Sequence, residues 1–154
     1  MDERVKELRK ILMQKKHHAY RKKLDRCLWK EFDEKGLSPL ERMSERLKIV
    51  LEAENPVFLP GERIAYLRTI SELPEIYSDE EKRQLFGENL WGVGNVCPDY
   101  AGTIAVGLEA QRDRCVERMK IASEKQKLFL RCVIRSIDAV LELAVRYKEE
   151  ALRV

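Results

Sequence analysis

The sequence predicts a mainly helical protein, and three observations carry that expectation. Charged residues make up 37% of the chain and apolar ones 44%, with only seven glycines and five prolines, the balance of a solvated helical surface over a packed interior. Apolar residues recur at three- and four-residue spacing through most of the 154 positions. Three Ser-x-x-Glu/Gln sequences, at Ser38, Ser78 and Ser123, each precede such a stretch and read as helix capping boxes. The length suits one domain, 1–154, able to bury a sizeable core.

Between Asp2 and about Lys35, the positions Val5, Leu8, Ile11, Leu12, Ala19, Tyr20, Leu24, Cys27, Leu28 and Phe32 mark one helix face, with room for a single break. Gly36 is its natural stop. Lys15, Lys16, His17, His18, Arg21, Lys22 and Lys23 cluster within it. The cluster reads as a solvated face or a docking surface for acidic groups. No aromatic interleaving or nucleic-acid-binding motif accompanies it, so no nucleic-acid partner is expected. Adjacent histidines diverge by about 100° on a helix, which argues against a shared metal.

Ser38 and Glu41 bracket Pro39, which suits the first helical position. The helix they open carries Leu40, Met43, Leu47, Val50 and Leu51 as its core stripe to about Glu54, and Pro56 ends it. Val57-Phe58-Leu59 before Pro60-Gly61, and the run Arg63–Ile70, rich in β-formers, predict one or two short strands. Arg68 has two readings, a carboxylate-binding cation or a salt-bridged surface residue, and the second carries more weight. Ser78 opens a short helix toward Phe86.

Gly92 and Gly94 make the richest glycine loop of the chain, and it ends on Pro98 and Asp99, which start a helix and place negative charge at its positive pole. Tyr100, Ile104, Gly107, Leu108, Gln111, Cys115 and Met119 line its predicted inner face to about Ile121. A last helix from Ser123 carries Leu128, Cys132, Ile137, Val140, Leu141, Ala144 and Tyr147. These two predict an antiparallel C-terminal hairpin. One bent helix is the alternative, because no glycine or proline enforces the turn.

Composition excludes several classes. Cys27, Cys97, Cys115 and Cys132 form no CxxC pair, and charged Asp2-Glu3-Arg4 stands where a signal peptide would open. No apolar run approaches the roughly 18–20 residues a membrane span needs, so a cytoplasmic location with no membrane partner is expected. No Walker or Rossmann phosphate loop, no G-x-S-x-G elbow and no zinc-ligand spacing is present.

One resemblance covers essentially the whole chain. Gly94-Asn95-Val96-Cys97-Pro98-Asp99-Tyr100, with Gly107-Leu108 behind it, resembles the G-x-N/H-x-x-P-D-Y…G-L pattern of glycyl radical enzymes of the pyruvate formate-lyase (formate C-acetyltransferase) type. Three further stretches agree in the same order: Lys16-His17-His18-Ala19-Tyr20-Arg21, Gly36–Met43, and Asn55–Ile64 with Arg68-Thr69.

The resemblance implies the N-terminal segment of a PFL domain, cut before the thiyl-cysteine and glycyl-radical regions, and a fold that belongs to a ten-stranded α/β barrel. The family cleaves small metabolites by radical chemistry in anaerobic metabolism, as lyases or transferases. Its glycyl radical is installed by a separate S-adenosylmethionine iron–sulfur activase. The radical glycine's R-V-[SA]-G-[YF] context is missing; the nearest run, Thr103–Gly107, lacks the arginine and the following aromatic. No catalytic residue and no metal ligand is therefore assigned, and no activity is expected of the chain alone. Asn95 is the substrate-binding candidate, because the family places a polar side chain at the matching position; a backbone-bridging role in the loop stands beside it with equal weight. The expected partners are the remainder of a split enzyme or a second copy of the chain. The alternative reading is a non-catalytic helical interaction or regulatory protein.

Overall fold

A computed structural model describes residues 2–64, 67–87 and 98–154. Among these residues six α-helices follow one another: α1 Glu3–Met13, α2 Leu28–Glu34, α3 Pro39–Ala53, α4 Asp79–Phe86, α5 Tyr100–Met119 and α6 Glu124–Arg153. A 3-10 turn, Lys16–Tyr20, lies between α1 and α2.

The three capping boxes form. Glu41 accepts from the Ser38 amide at 3.0 Å, Glu81 from the Ser78 amide at 2.7 Å, and Gln126 from the Ser123 amide at 2.9 Å. Each satisfies a donor that helix geometry leaves orphaned. Asp99 caps α5 by accepting from the Gly102 amide at 2.9 Å.

The core runs along α6. One side of α6 packs on α3 and the other on α5. Arg135 reaches Ser44 and Arg146 reaches the end of α3, so α3 and α6 run parallel. Arg112 meets Asp138 across a four-residue turn, so α5 and α6 are an antiparallel pair of separate helices. A second cluster of Leu28, Phe32, Ile49 and Ile76, flanked by Leu24, Leu37 and Tyr77, fixes α2 to α3 and to the stretch before α4.

Four expectations need correction. First, no strand, sheet or barrel is present among the described residues: Val57-Phe58-Leu59 forms no strand, and neither do the described residues of Arg63–Ile70, of which 65 and 66 lie outside the described residues. Pro56 and Pro60 bracket the first run and withdraw two donors from any ladder. Leu59, Leu67 and Ile70 are instead buried singly, as anchors of an irregular segment. Among the described residues, the pairing there is one isolated parallel bridge between Lys22 and Ile70. The α/β barrel portion implied by the resemblance has no counterpart in these elements.

Second, the N-terminal stretch is not one helix with one break. Residues 21–27 form no helix, and Lys22 donates its amide to Thr69 O at 2.7 Å while accepting from Ser71. The like charges at 15, 16, 21, 22 and 23 would crowd neighbouring turns of a continued helix, and this tertiary pairing offers their backbone another partner. Third, the α3 stripe holds only at its C-terminal end. Val50 and Leu51 are buried as expected, whereas Met43 and Leu47 are exposed and Arg42, Ser44 and Ile49 are buried beside them.

Fourth, α5 is kinked. Gly107 adopts φ 79° and ψ 164°, a conformation closed to other residues, so the first two turns leave the line of the helix. Tyr100 and Ile104, predicted on its inner face, are 68% and 82% exposed in consequence.

Candidate functional site

Asn95, the substrate-binding candidate, lies outside the described residues with the whole of 88–97, including Gly92, Gly94 and Cys97. Two of the other stretches singled out in the sequence contribute to two polar clusters within the fold, and Lys16–Arg21 enters neither.

The first is built from Asn55–Ile64 and Arg68-Thr69. Glu54, at the C-terminal end of α3, has a fully buried side chain. One carboxylate oxygen accepts from the Thr69 amide and from its hydroxyl at 3.1 Å; the other accepts from Arg68 Nε at 3.1 Å. Thr69 Oγ1 in turn accepts from the Asn55 amide at 2.9 Å. A carboxylate is an unfavourable neighbour for the exposed carbonyls at a helix C-terminus. Arg146 resolves that conflict: from α6 its guanidinium donates to the carbonyls of Leu51 and of Glu54, the latter at 2.6 Å. Tyr147 beside it donates to Leu67 O at 2.9 Å. Burial, then the nearby Glu54 charge, raises the Tyr147 pKa above its ordinary value, so that the phenol keeps its proton.

The second cluster is centred on Arg42, within the Gly36–Met43 stretch. Its guanidinium is buried and donates to Leu37 O at 3.0 Å, to Ile76 O at 2.9 Å, to Glu81 at 3.1 Å and to Asp33. It also stands 5.5 Å from the Tyr77 ring centroid. Glu81 therefore serves twice, in its capping box and against Arg42. The backbone and hydroxyl donors of Ser78 and the arginine hold its carboxyl below the ordinary range. Ser38 does the same to Glu41.

Chemically, both clusters are closed. Each oxygen of Glu54 already holds donors, and Arg42 spends its fork on two carbonyls and two carboxylates, so neither offers a free base or an empty cation. Arg68, weighed as a ligand for a carboxylate substrate, is paired with Glu54. His17 and His18 lie in the 3-10 turn with ring centroids 4.4 Å apart. A cleft of about 380 Å³ between α3 and the hairpin is lined by Lys48, Met119, Arg131, Arg135, Asp138 and Glu142. Its charges are largely neutralised within the protein, Arg135 by Glu45, Lys48 by Glu52 and Asp138 by Arg112.

Sequence reasoning missed Glu54, Arg42, Arg146 and Tyr147 as polar hubs. Two of them carried a signal: Glu54 as an acidic residue at a helix C-terminus, and Arg146 as the residue continuing the seven-residue series Cys132, Ala139, Arg146 on the buried stripe of α6.

No family model matches the chain, and no curated protein or solved structure matches it. No helix among the described residues is long and apolar enough to cross a membrane.

Proposed function

We propose that this chain is the N-terminal, scaffold segment of a pyruvate formate-lyase-like glycyl radical protein of the cytoplasm, with no catalysis of its own. The observation that carries this reading is the ordered set of four sequence stretches from Lys16 to Leu108. The roles of Arg42 and Thr69 support it, because these residues, drawn from two of those stretches, tie separate segments of the chain together, as a scaffold role requires. In this reading the radical glycine and thiyl cysteine reside on other sequence, and the S-adenosylmethionine iron–sulfur activase acts there. Substrate contact from this chain falls to Asn95, as an orienting hydrogen-bond partner.

The test is to read the locus beyond Val154 and in the adjoining frames. A frame carrying the R-V-[SA]-G-[YF] context and an activase gene supports the reading; a locus without either overturns it. A glycine-centred EPR doublet on the purified chain, after anaerobic treatment with an activase, would overturn the scaffold assignment.

The second reading, a non-catalytic helical interaction protein, is favoured by the same closed polar clusters and by the exposed apolar side chains of α5. Capture of one defined partner without any radical motif at the locus would select it.

A further inference from the structure

We propose that α1 and the turn that follows it form a docking surface for an anionic lipid bilayer. Two independent observations meet at this end of the molecule. The first is charge segregation. Residues 9–26 hold eight lysines and arginines against one acidic residue, Asp25, and the rest of the chain holds 22 basic and 26 acidic residues. This short stretch is thus strongly positive on an otherwise slightly negative protein. All eight cations are exposed. Lys10, Lys23 and Arg26 have ion-pair partners in Glu7, Glu72 and Glu31; Arg9, Lys15, Lys16 and Arg21 have none among the described residues.

The second observation is apolar exposure in the same place. Helix α1 buries no residue. Its inner edge, Arg4, Leu8 and Ile11, is half-covered, with Arg4 donating to Gly61 O at 3.0 Å, while Val5, Leu12 and Met13 face outward with Arg9 between them. Met13 is 74% exposed and Tyr20 47%. Lys15 adopts a left-handed conformation, φ 55°, which reverses the chain. The 3-10 turn Lys16–Tyr20 then packs against α1, and Arg21 follows it directly in the chain.

Exposed apolar side chains ringed by unpaired cations match a bilayer interface, where acyl chains receive Leu12 and Met13 and lipid phosphates or carboxylates receive the cations. A nucleic-acid backbone offers the same charge and nothing that would cover Leu12 and Met13. The absence of a spanning segment bears on crossing a membrane, not on lying against one.

The test is co-sedimentation of the full chain with vesicles of phosphatidylcholine alone, or with about one-third phosphatidylserine, at low and at moderate salt. Binding is expected to the anionic vesicles only, and to weaken steeply with salt. The double variant Lys16→Gln/Arg21→Gln should bind roughly 25-fold more weakly, about fivefold for each charge removed. Met13→Ser should also weaken binding, and Lys125→Gln/Lys127→Gln, in the first turn of α6, should leave it unchanged. Equal binding to neutral vesicles, no binding at low salt, full affinity in the double variant, or tighter binding to duplex DNA than to the vesicles would each overturn the proposal. Thermal melts of all variants establish that the fold is intact.

Discussion

Arg146 donates to the main-chain carbonyl of Glu54 at 2.6 Å, so the penultimate turns of the last helix supply the C-terminal cap of α3. Hydrogen bonds from a charged donor contribute more than neutral ones, and removing the donor leaves carbonyls unpaired beside a buried carboxylate. Arg146→Ala is expected to lower unfolding free energy by about 2–4 kcal/mol, read from urea midpoints. Arg146→Lys should recover only part of this, because an ammonium cannot span both carbonyls as the planar fork does.

Arg42 ties α3 to the segment before α4. Arg42→Met preserves much of the volume but abandons Leu37 O and Ile76 O, and should cost about 2–3 kcal/mol in the same measurement. An unchanged midpoint would contradict a hub role for this guanidinium.

Glu54 and Thr69 act as one unit. Glu54→Gln and Thr69→Val should each destabilise, and a double-mutant cycle should show them coupled by about 1–2 kcal/mol. Strict additivity would mean that the hydroxyl and carboxylate are energetically independent despite the 3.1 Å contact.

Acid should weaken the fold through the caps of α3 and α4. The Glu41 and Glu81 carboxyls are held below their ordinary values, chiefly by Ser38 and Ser78. A folded-state pKa below the unfolded value, about 4.3, means stability is present above that pH and is lost as pH falls through the folded pKa. Melting temperature should therefore drop below about pH 4. Glu41→Gln/Glu81→Gln retains a box-forming side chain but cannot titrate, so its pH slope in this window should be shallower.

Tyr100 and Ile104, carried outward by the Gly107 kink, leave large apolar surface in solvent. Concentration-dependent association in sedimentation velocity is expected, and Tyr100→Ser/Ile104→Ser should reduce it. A strictly monomeric parent at high concentration would show that this surface needs no cover.

Much of the helical layout was legible because it rests on local chemistry. Ser38, Ser78, Ser123 and Asp99 announce their helices within four residues, and those caps form as read. The strands were not legible, because β-formers at Val57–Leu59 and Arg63–Ile70 describe willingness to extend and not the presence of a neighbour to pair with. The departure in the first turns of α3 has a similar origin. Met43 and Leu47 fit the period, yet Arg42 is buried because Leu37 O, Ile76 O, Asp33 and Glu81 converge on it from other parts of the chain. Such long-range satisfaction of a charged group leaves no trace in periodicity. The Gly107 kink was hidden because a glycine inside an apolar stripe reads as a small packing residue. For the functional site, Asn95 rested on the resemblance alone, and the polar hubs on contacts the sequence does not bring near each other.

The parallel pairing of α3 with α6 has a consequence during synthesis. Ser44 meets Arg135, a residue 91 positions later, and Leu51 meets Arg146, 95 positions later. Contacts so distant in sequence make closure slow, and α3 emerges from the ribosome with its buried face bare until synthesis has passed Arg146. A nascent chain arrested before Arg135 should accordingly engage holdase chaperones, and release of the last turns should let it go.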